Sequence, residues 1–220
     1  MHSVDTDGLI YADGLFTGHE HDRHSAGYYA TAPSLFRGAI ALWSETLAGS
    51  GKRLNDYTLV DVGCGKGRVL MLASQHGFRE IVGVELNPRL AAVARKNLSK
   101  WLRLPRACPK VAVVQQDALT FPIPEGPVVL FFFNSFEREM AEMWLERLGQ
   151  AASVRTEPID LIYVHPEFDA LVRQLPGIHL AAQAEISFSA EDASADAFGV
   201  SLDRCVVYRL TGNETGGGQV

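Results

Sequence analysis

Leu59-Val60-Asp61-Val62-Gly63-Cys64-Gly65-Lys66-Gly67-Arg68-Val69-Leu70 decides the fold of this chain, because an apolar strand runs straight into a glycine-rich turn that opens a helix. Gly63, Gly65 and Gly67 alternate with larger residues, so the backbone can turn sharply and meet a ligand where a Cβ would collide. A ligand seated there lies against main chain. Such a turn can also serve only its own geometry; the residues beyond it decide between the two.

A second apolar run over 80–85 ends in Glu85, roughly 20 residues past the glycines, where a carboxylate can take both ribose hydroxyls of an adenosine-bearing cofactor. A third strand over 110–116 leads into Asp117-Ala118. An acid at that place can accept a hydrogen bond from an adenine amino group, so three successive strand ends face one nucleoside. The dinucleotide alternative expects G-x-G-x-x-G with a pyrophosphate on the helix N-terminus. Here the third glycine, Gly67, comes one residue early. Asp61, two residues before the first glycine, would repel a pyrophosphate and attract an ammonium group. Both features favour a nucleoside cofactor bearing an amino acid over NAD or FAD.

The ordered runs VDVGCGKG over 60–67, GVELNP over 83–88, QQDAL over 115–119 and VVLFFFNSF over 128–136 resemble the motif set of the class I S-adenosylmethionine (SAM) dependent methyltransferases. The resemblance implies an α/β fold, a doubly wound Rossmann-like sheet of seven strands, mostly parallel, with an antiparallel C-terminal strand and helices on both faces. It implies SAM as cofactor. Asp61 matches the acid before the turn, and Gly63, Cys64, Gly65 and Gly67 supply the turn that holds the methionine part. Glu85 matches the ribose ligand, Leu86 packs on adenine, Asp117 and Ala118 meet the adenine edge, and Asn134 ends the strand nearest the reacting methyl.

Methyl transfer is an in-line displacement at carbon, so the protein chiefly aligns nucleophile, methyl and sulfur, and few catalytic groups are required. Substrate lies beyond the carboxyl ends of the strands in such a sheet. Asn134-Ser135-Phe136 lacks the paired prolines common in amine-directed relatives and resembles the Asn-x-Phe variant of some seven-strand lysine methyltransferases. That implies a nitrogen nucleophile, with Asn134 accepting from the target amino group and Phe136 as a wall. A helix cap followed by a core phenylalanine is the alternative for the same residues. His165, in Val164-His165-Pro166-Glu167, follows the fifth strand and can take a proton near working pH; a plain loop histidine is its alternative. The implied activity is transfer of a methyl group to a protein side chain or small amine. O-methylation of a small metabolite, or a non-catalytic SAM-binding subunit, stand as alternatives.

At 220 residues and 47% hydrophobic content, the chain predicts one well-buried domain. Residues 1–32 read as an N-terminal lid or substrate segment, 33–211 as the methyltransferase domain and 212–220 as a disordered glycine-rich tail. The polar, acidic N-terminus has neither the basic start nor the apolar core of a signal peptide, and no run approaches the ~20 apolar residues of a membrane span. Three cysteines without C-x-x-C spacing predict neither a disulfide framework nor a zinc site, which fits a reducing cytoplasm. A net charge of -6 offers no broad footprint for nucleic acid. Arg89, Arg95, Lys96, Lys100, Arg103, Arg106 and Lys110 read as a solvated helix face. The expected partner is the methyl acceptor, small molecule or protein, and nothing in the sequence sets the oligomeric state.

The apolar spacing behind Pro33 predicts a helix over 33–47. Strands are expected at 58–62, 80–85, 110–116, 127–133 and 159–164, with helices between them at 67–76, 88–104, 136–151 and 166–175. Near-continuous apolar strands alternating with helices predict a parallel sheet covered on both faces. Two further strands at 178–188 and 202–210 read as an antiparallel hairpin around an acidic loop with no helix. The resemblance implies that the last strand inserts between its two neighbours. His19, Glu20, His21, Asp22 and His24 match no metal-ligand spacing and read as a polar, mobile segment without a metal. Tyr28, Tyr29 and Thr31 read as lid residues that exclude water. Lys66 and Arg68 oppose the dipole of the helix they open, for which a carboxylate partner is the usual reason; for Lys66 the methionine carboxylate of SAM and a surface or structural ion pair stand as alternatives.

Overall fold

The computed structural model describes residues 4–24 and 26–212. The expected tail falls almost wholly on 213–220, outside the described residues.

Seven strands form one sheet: β3 (Thr58–Val62), β4 (Glu80–Glu85), β5 (Val111–Gln115), β6 (Val128–Phe133), β7 (Ile159–Val164), β8 (Ile178–Ser187) and β9 (Leu202–Leu210). Their order is β5-β4-β3-β6-β7-β9-β8. The first five are parallel, and β9 runs antiparallel to both β7 and β8, inserted between them. The strand order reverses between β3 and β6, which opens a crevice beyond their carboxyl ends.

Side chains alternate across each strand, and the two faces build two cores. Leu59, Ile81, Val129, Phe131, Ile162 and Val207 point toward α1 (Pro33–Glu45), α2 (Arg68–Ala73) and α3 (Pro88–Trp101). Val60, Val62, Leu130, Phe132, Leu161 and Tyr163 point the other way, toward α4 (Arg138–Ser153) and α5 (Asp169–Val172). Continuous apolar runs are therefore what a sheet covered on both sides requires. A buried charge interrupts the pattern in β7: Asp160 accepts from Arg209 Nε at 2.7 Å and Nη2 at 3.0 Å, and from Trp43 Nε1 at 2.8 Å, tying α1 to the far half of the sheet.

Helix starts follow local chemistry. Pro33 opens α1, and Asn87 caps α3 by accepting from the amides of Arg89 at 2.9 Å and Leu90 at 3.2 Å. Two expectations are corrected. The connection between β8 and β9 contains a short helix, α6 (Ala190–Ala195), where a loop was expected. Ser189 caps it by accepting from Asp192 N at 3.1 Å, and Glu191 and Asp192 complement the dipole of its first turn. The N-terminal segment is ordered rather than mobile: β1 (Leu9–Ile10) pairs with β2 (Tyr28–Tyr29), and two 3-10 turns lie between them. Lys66 and Arg68 explain this docking. Lys66 Nζ lies 2.8 Å from Asp5 Oδ1, Arg68 pairs with Asp7, and Tyr28 donates its hydroxyl proton to the Thr6 carbonyl at 2.6 Å. No helix among the described residues is long and apolar enough to cross a membrane.

Candidate cofactor and acceptor site

The crevice beyond β3, β4 and β6 is a cavity of about 340 Å³, and its roof is the N-terminal segment. Of the residues singled out from the sequence, Asp61, Gly63, Cys64, Gly65, Glu85, Leu86, Asp117, Ala118, Asn134, Phe136, His165, Tyr28, Tyr29 and Thr31 all line it. Gly67 does not. It precedes α2 with φ +83°, and a Cβ there would stand 3.1 Å from Ala94 Cβ, so its glycine serves the packing of α2 on α3.

The other two glycines form the cradle. Gly63 (φ +77°) and Gly65 (φ +53°) both occupy the left-handed region. A Cβ on Gly63 would meet Ser135 Oγ at 2.6 Å, and one on Gly65 would meet the Tyr28 ring at 2.4 Å. The Gly63 and Cys64 amides both donate to the Val84 carbonyl, at 3.0 and 2.9 Å, which pins the turn to β4. Cys64 is a small buried residue whose thiol burial pushes well above its usual range.

Three carboxylates follow the cavity floor. Asp61 is buried at the end of β3, and none of the described residues donates a hydrogen bond to it. Burial pushes its carboxyl well above the usual carboxylate range, and the Glu85 charge adds to the effect. A buried acid left without a partner on a cavity wall calls for a cation. Glu85 accepts from Gly65 N at 2.7 Å through Oε2 and from Asn87 N at 2.8 Å through Oε1. Burial raises its pKa, against the lowering effect of those amides. Each oxygen keeps a second lone pair for a ligand hydroxyl. Asp117 accepts from Leu119 N at 2.8 Å, and its other oxygen lies 2.6 Å from His21 Nδ1.

The contact with His21 comes from the segment read as unstructured, and no local signal in the sequence pairs these residues. His19, His21 and Asp117 bring three ligand-type atoms within 4.8 Å of one another. Hydrogen bonds link the three: His21 Nδ1 lies 2.6 Å from Asp117 Oδ2, and His19 Nδ1 accepts from His21 N at 3.2 Å.

At the opposite end, Asn134 follows β6 with φ +42° and His165 follows β7 with φ +50°. They are the two non-glycine residues at positive φ among the described residues. Asn134 is not a helix cap, since α4 begins at Arg138 behind Glu137. Its Oδ1 accepts from the Tyr163 hydroxyl at 3.1 Å, which in turn accepts from Phe168 N at 3.1 Å. Burial pushes the Tyr163 phenol up to about 12, so it stays a donor. Phe136 packs its ring on Phe132 and Trp144, with centroids at 5.1 and 5.8 Å, so it is a core residue with one edge on the cavity. His165 Nδ1 lies 3.1 Å from Asp203 Oδ1. Asp203 and Tyr163 escaped sequence reasoning because both act through strand pairing, which places β9 beside β7.

These features fit SAM. An unpartnered buried acid matches its ammonium group, an amide-braced acid its ribose and a third acid its adenine, and the glycine cradle admits no Cβ. Comparison with known proteins agrees. A profile described as "Methyltransferase domain" matches residues 59–157. Ribosomal protein L11 methyltransferase of Colwellia psychrerythraea is 34% identical over 90 residues, 36% of this chain; the match spans 31% of that relative's length, about a third. Among solved structures, magnesium protoporphyrin IX methyltransferase (ChlM) from Synechocystis PCC 6803 with bound SAM superposes with TM-score 0.54 at 14% identity, covering 80% of this chain and 79% of that one. The [4+2]-cyclase SpnF superposes with TM-score 0.57 at 12% identity, covering 91% and 90%. At such identities the superpositions establish the shared fold, and SpnF is a reminder that fold alone does not fix a reaction. Motif order, cradle chemistry and the domain profile over 59–157 converge on a SAM-dependent methyltransferase domain.

Proposed function

We propose that this protein transfers the methyl group of SAM to a nitrogen nucleophile on a protein side chain or a small amine. One observation carries the reading: the cavity that holds the glycine cradle also receives Asn134 and His165, both in left-handed backbone at the ends of adjacent strands. Such conformations cost a non-glycine residue about 1–3 kcal/mol and cluster where side chains must be aimed.

SAM supplies a methyl group already activated on a positively charged sulfur. The chain's own residues bind and orient. Asp61 meets the ammonium group, Glu85 the ribose and Asp117 the adenine edge. Asn134, its amide fixed by Tyr163, keeps a lone pair on Oδ1 for an N–H of the acceptor. Asp203 holds His165 Nδ1, which leaves Nε2 to take the proton the amine must lose. Tyr28, Tyr29 and Thr31, in a segment over 4–31 that acts as a lid, roof the cavity and exclude water.

Labelled methyl transfer from SAM into fractionated cell extract tests the proposal, with the label expected on nitrogen. Asn134→Ala should lower turnover at least tenfold while SAM affinity changes little. Label found only on hydroxyl or carboxyl groups, or full turnover in the variant, would overturn it.

A further inference from the structure

We propose that the connection between β8 and β9 builds an acceptor subsite for a cationic amine. The inference rests on the nitrogen-directed reading and names the charge state and surroundings of the nitrogen.

One wall of the cavity is a continuous run of rings. Phe198 and Tyr29 have centroids 5.6 Å apart, Tyr29 and Phe133 5.9 Å, and Phe133 and His165 6.5 Å. Phe198 is 62% exposed, an arrangement that contributes little to the core. It is nonetheless held in place. Asp196 Oδ1 accepts from the amides of Phe198 and Val200, both at 2.9 Å, and Asp196 Oδ2 accepts from the Tyr29 hydroxyl. A single carboxylate thus fixes both rings. Its bond to the phenol also pushes electron density into the Tyr29 ring, which strengthens the face that attracts a cation.

Arg68 also lines the cavity, but Asp7 and the carbonyls of Thr6 and Thr31 hold its guanidinium, and the charges against the wall itself are acids. Asp203 lies against His165, Glu167 Oε1 is 3.7 Å from His165 Nε2, and Asp196 stands behind Tyr29. The nearby cation, Arg204, turns away to Asp169 at 3.0 Å and Gln183 at 3.1 Å. Aromatic faces ringed by acids favour an ammonium group over a neutral hydroxyl and repel a carboxylate. The acceptor arrives as R–NH3+. His165 Nε2 takes one proton, and the freed lone pair forms the N–C bond as the C–S pair returns to sulfur. The products are a methylated ammonium group and a neutral thioether, and His165 passes its proton to water.

Choline and its neutral isostere 3,3-dimethylbutan-1-ol test the subsite. Choline is quaternary, so the comparison reads binding to the full chain without any methyl transfer. Titrations followed by NMR, with S-adenosylhomocysteine present, should give choline about tenfold the affinity of the isostere, the ratio a desolvated cation–π contact supports. Phe198→Leu keeps apolar bulk and should abolish the ratio through loss of choline binding alone, with S-adenosylhomocysteine affinity unchanged. Equal affinities in the wild type, or a ratio that survives Phe198→Leu, would overturn the subsite even if nitrogen is methylated. A preserved ratio with label only on oxygen would instead overturn the nitrogen-directed reading.

Discussion

Gly65→Ala probes the contact between cradle and lid. At φ +53° an alanine costs about 1–2 kcal/mol in left-handed backbone. Its Cβ would also lie 2.4 and 2.5 Å from Cε2 and Cδ2 of Tyr28. That ring cannot yield cheaply, because it is buried and its hydroxyl is bonded to the Thr6 carbonyl at 2.6 Å. Displacing it forfeits that bond, about 1 kcal/mol. The expected total is about 2–3 kcal/mol, divided between a lower Tm and a weaker SAM complex; taken wholly in binding it is roughly 30- to 150-fold in Kd. Calorimetric titration with SAM and thermal unfolding together account for the sum. Tyr28→Ala in the same chain removes the collision, and the bond to Thr6 is then lost once rather than twice, so the double variant should lose about 1 kcal/mol less than the two single variants added together. An unchanged Kd with an unchanged Tm in Gly65→Ala, or strict additivity in the cycle, would refute the geometry.

Three further outcomes follow from the buried acids. Asp61 and Glu85 hold raised pKa values, so the cofactor-free protein carries protons that the unfolded chain has released, and its stability falls as pH rises from the ordinary carboxylate range through the raised values. The ammonium group of SAM favours ionised Asp61, so binding should release protons and tighten as pH rises; titrations in buffers of different ionisation enthalpy measure this, and Asp61→Asn should remove most of it. His21→Ala frees one oxygen of Asp117 and should raise SAM affinity about tenfold, the scale of a charge-assisted hydrogen bond; weaker binding would mean that His21 helps hold adenine. Asp160→Ala strands Arg209 and Trp43 Nε1 and should cost about 3–5 kcal/mol in denaturant unfolding while SAM affinity per folded molecule is unchanged.

The sheet was legible because its strands are short apolar runs bounded by glycine, proline or acids. Thr58–Val62, Glu80–Glu85, Ile159–Val164 and Leu202–Leu210 stand where the pattern places them. The three acids of the cavity were legible for a related reason: Asp61, Glu85 and Asp117 lie at or just past the carboxyl ends of parallel strands, and parallel strands end together. Composition misled at 190–195, where the bias of the segment hid a capping serine and two acids that suffice for a short helix. What lay beyond local reading is pairing at a distance. His21 reaches Asp117 across 96 positions and His165 reaches Asp203 across 38, contacts set by how the lid docks and where β9 inserts. Gly67 carried the right motif and a different duty, since the packing of two helices demands the same small residue as a ligand does.

The central claim is that the acid-lined glycine cradle is a SAM site. Calorimetric titration of the wild-type chain and Asp61→Asn with SAM, and of the wild type with NAD, tests it most directly. The account predicts one SAM bound per chain, no measurable NAD binding and an affinity for SAM at least tenfold weaker in the variant; NAD bound as tightly as SAM, or SAM affinity untouched by the loss of Asp61, would contradict it.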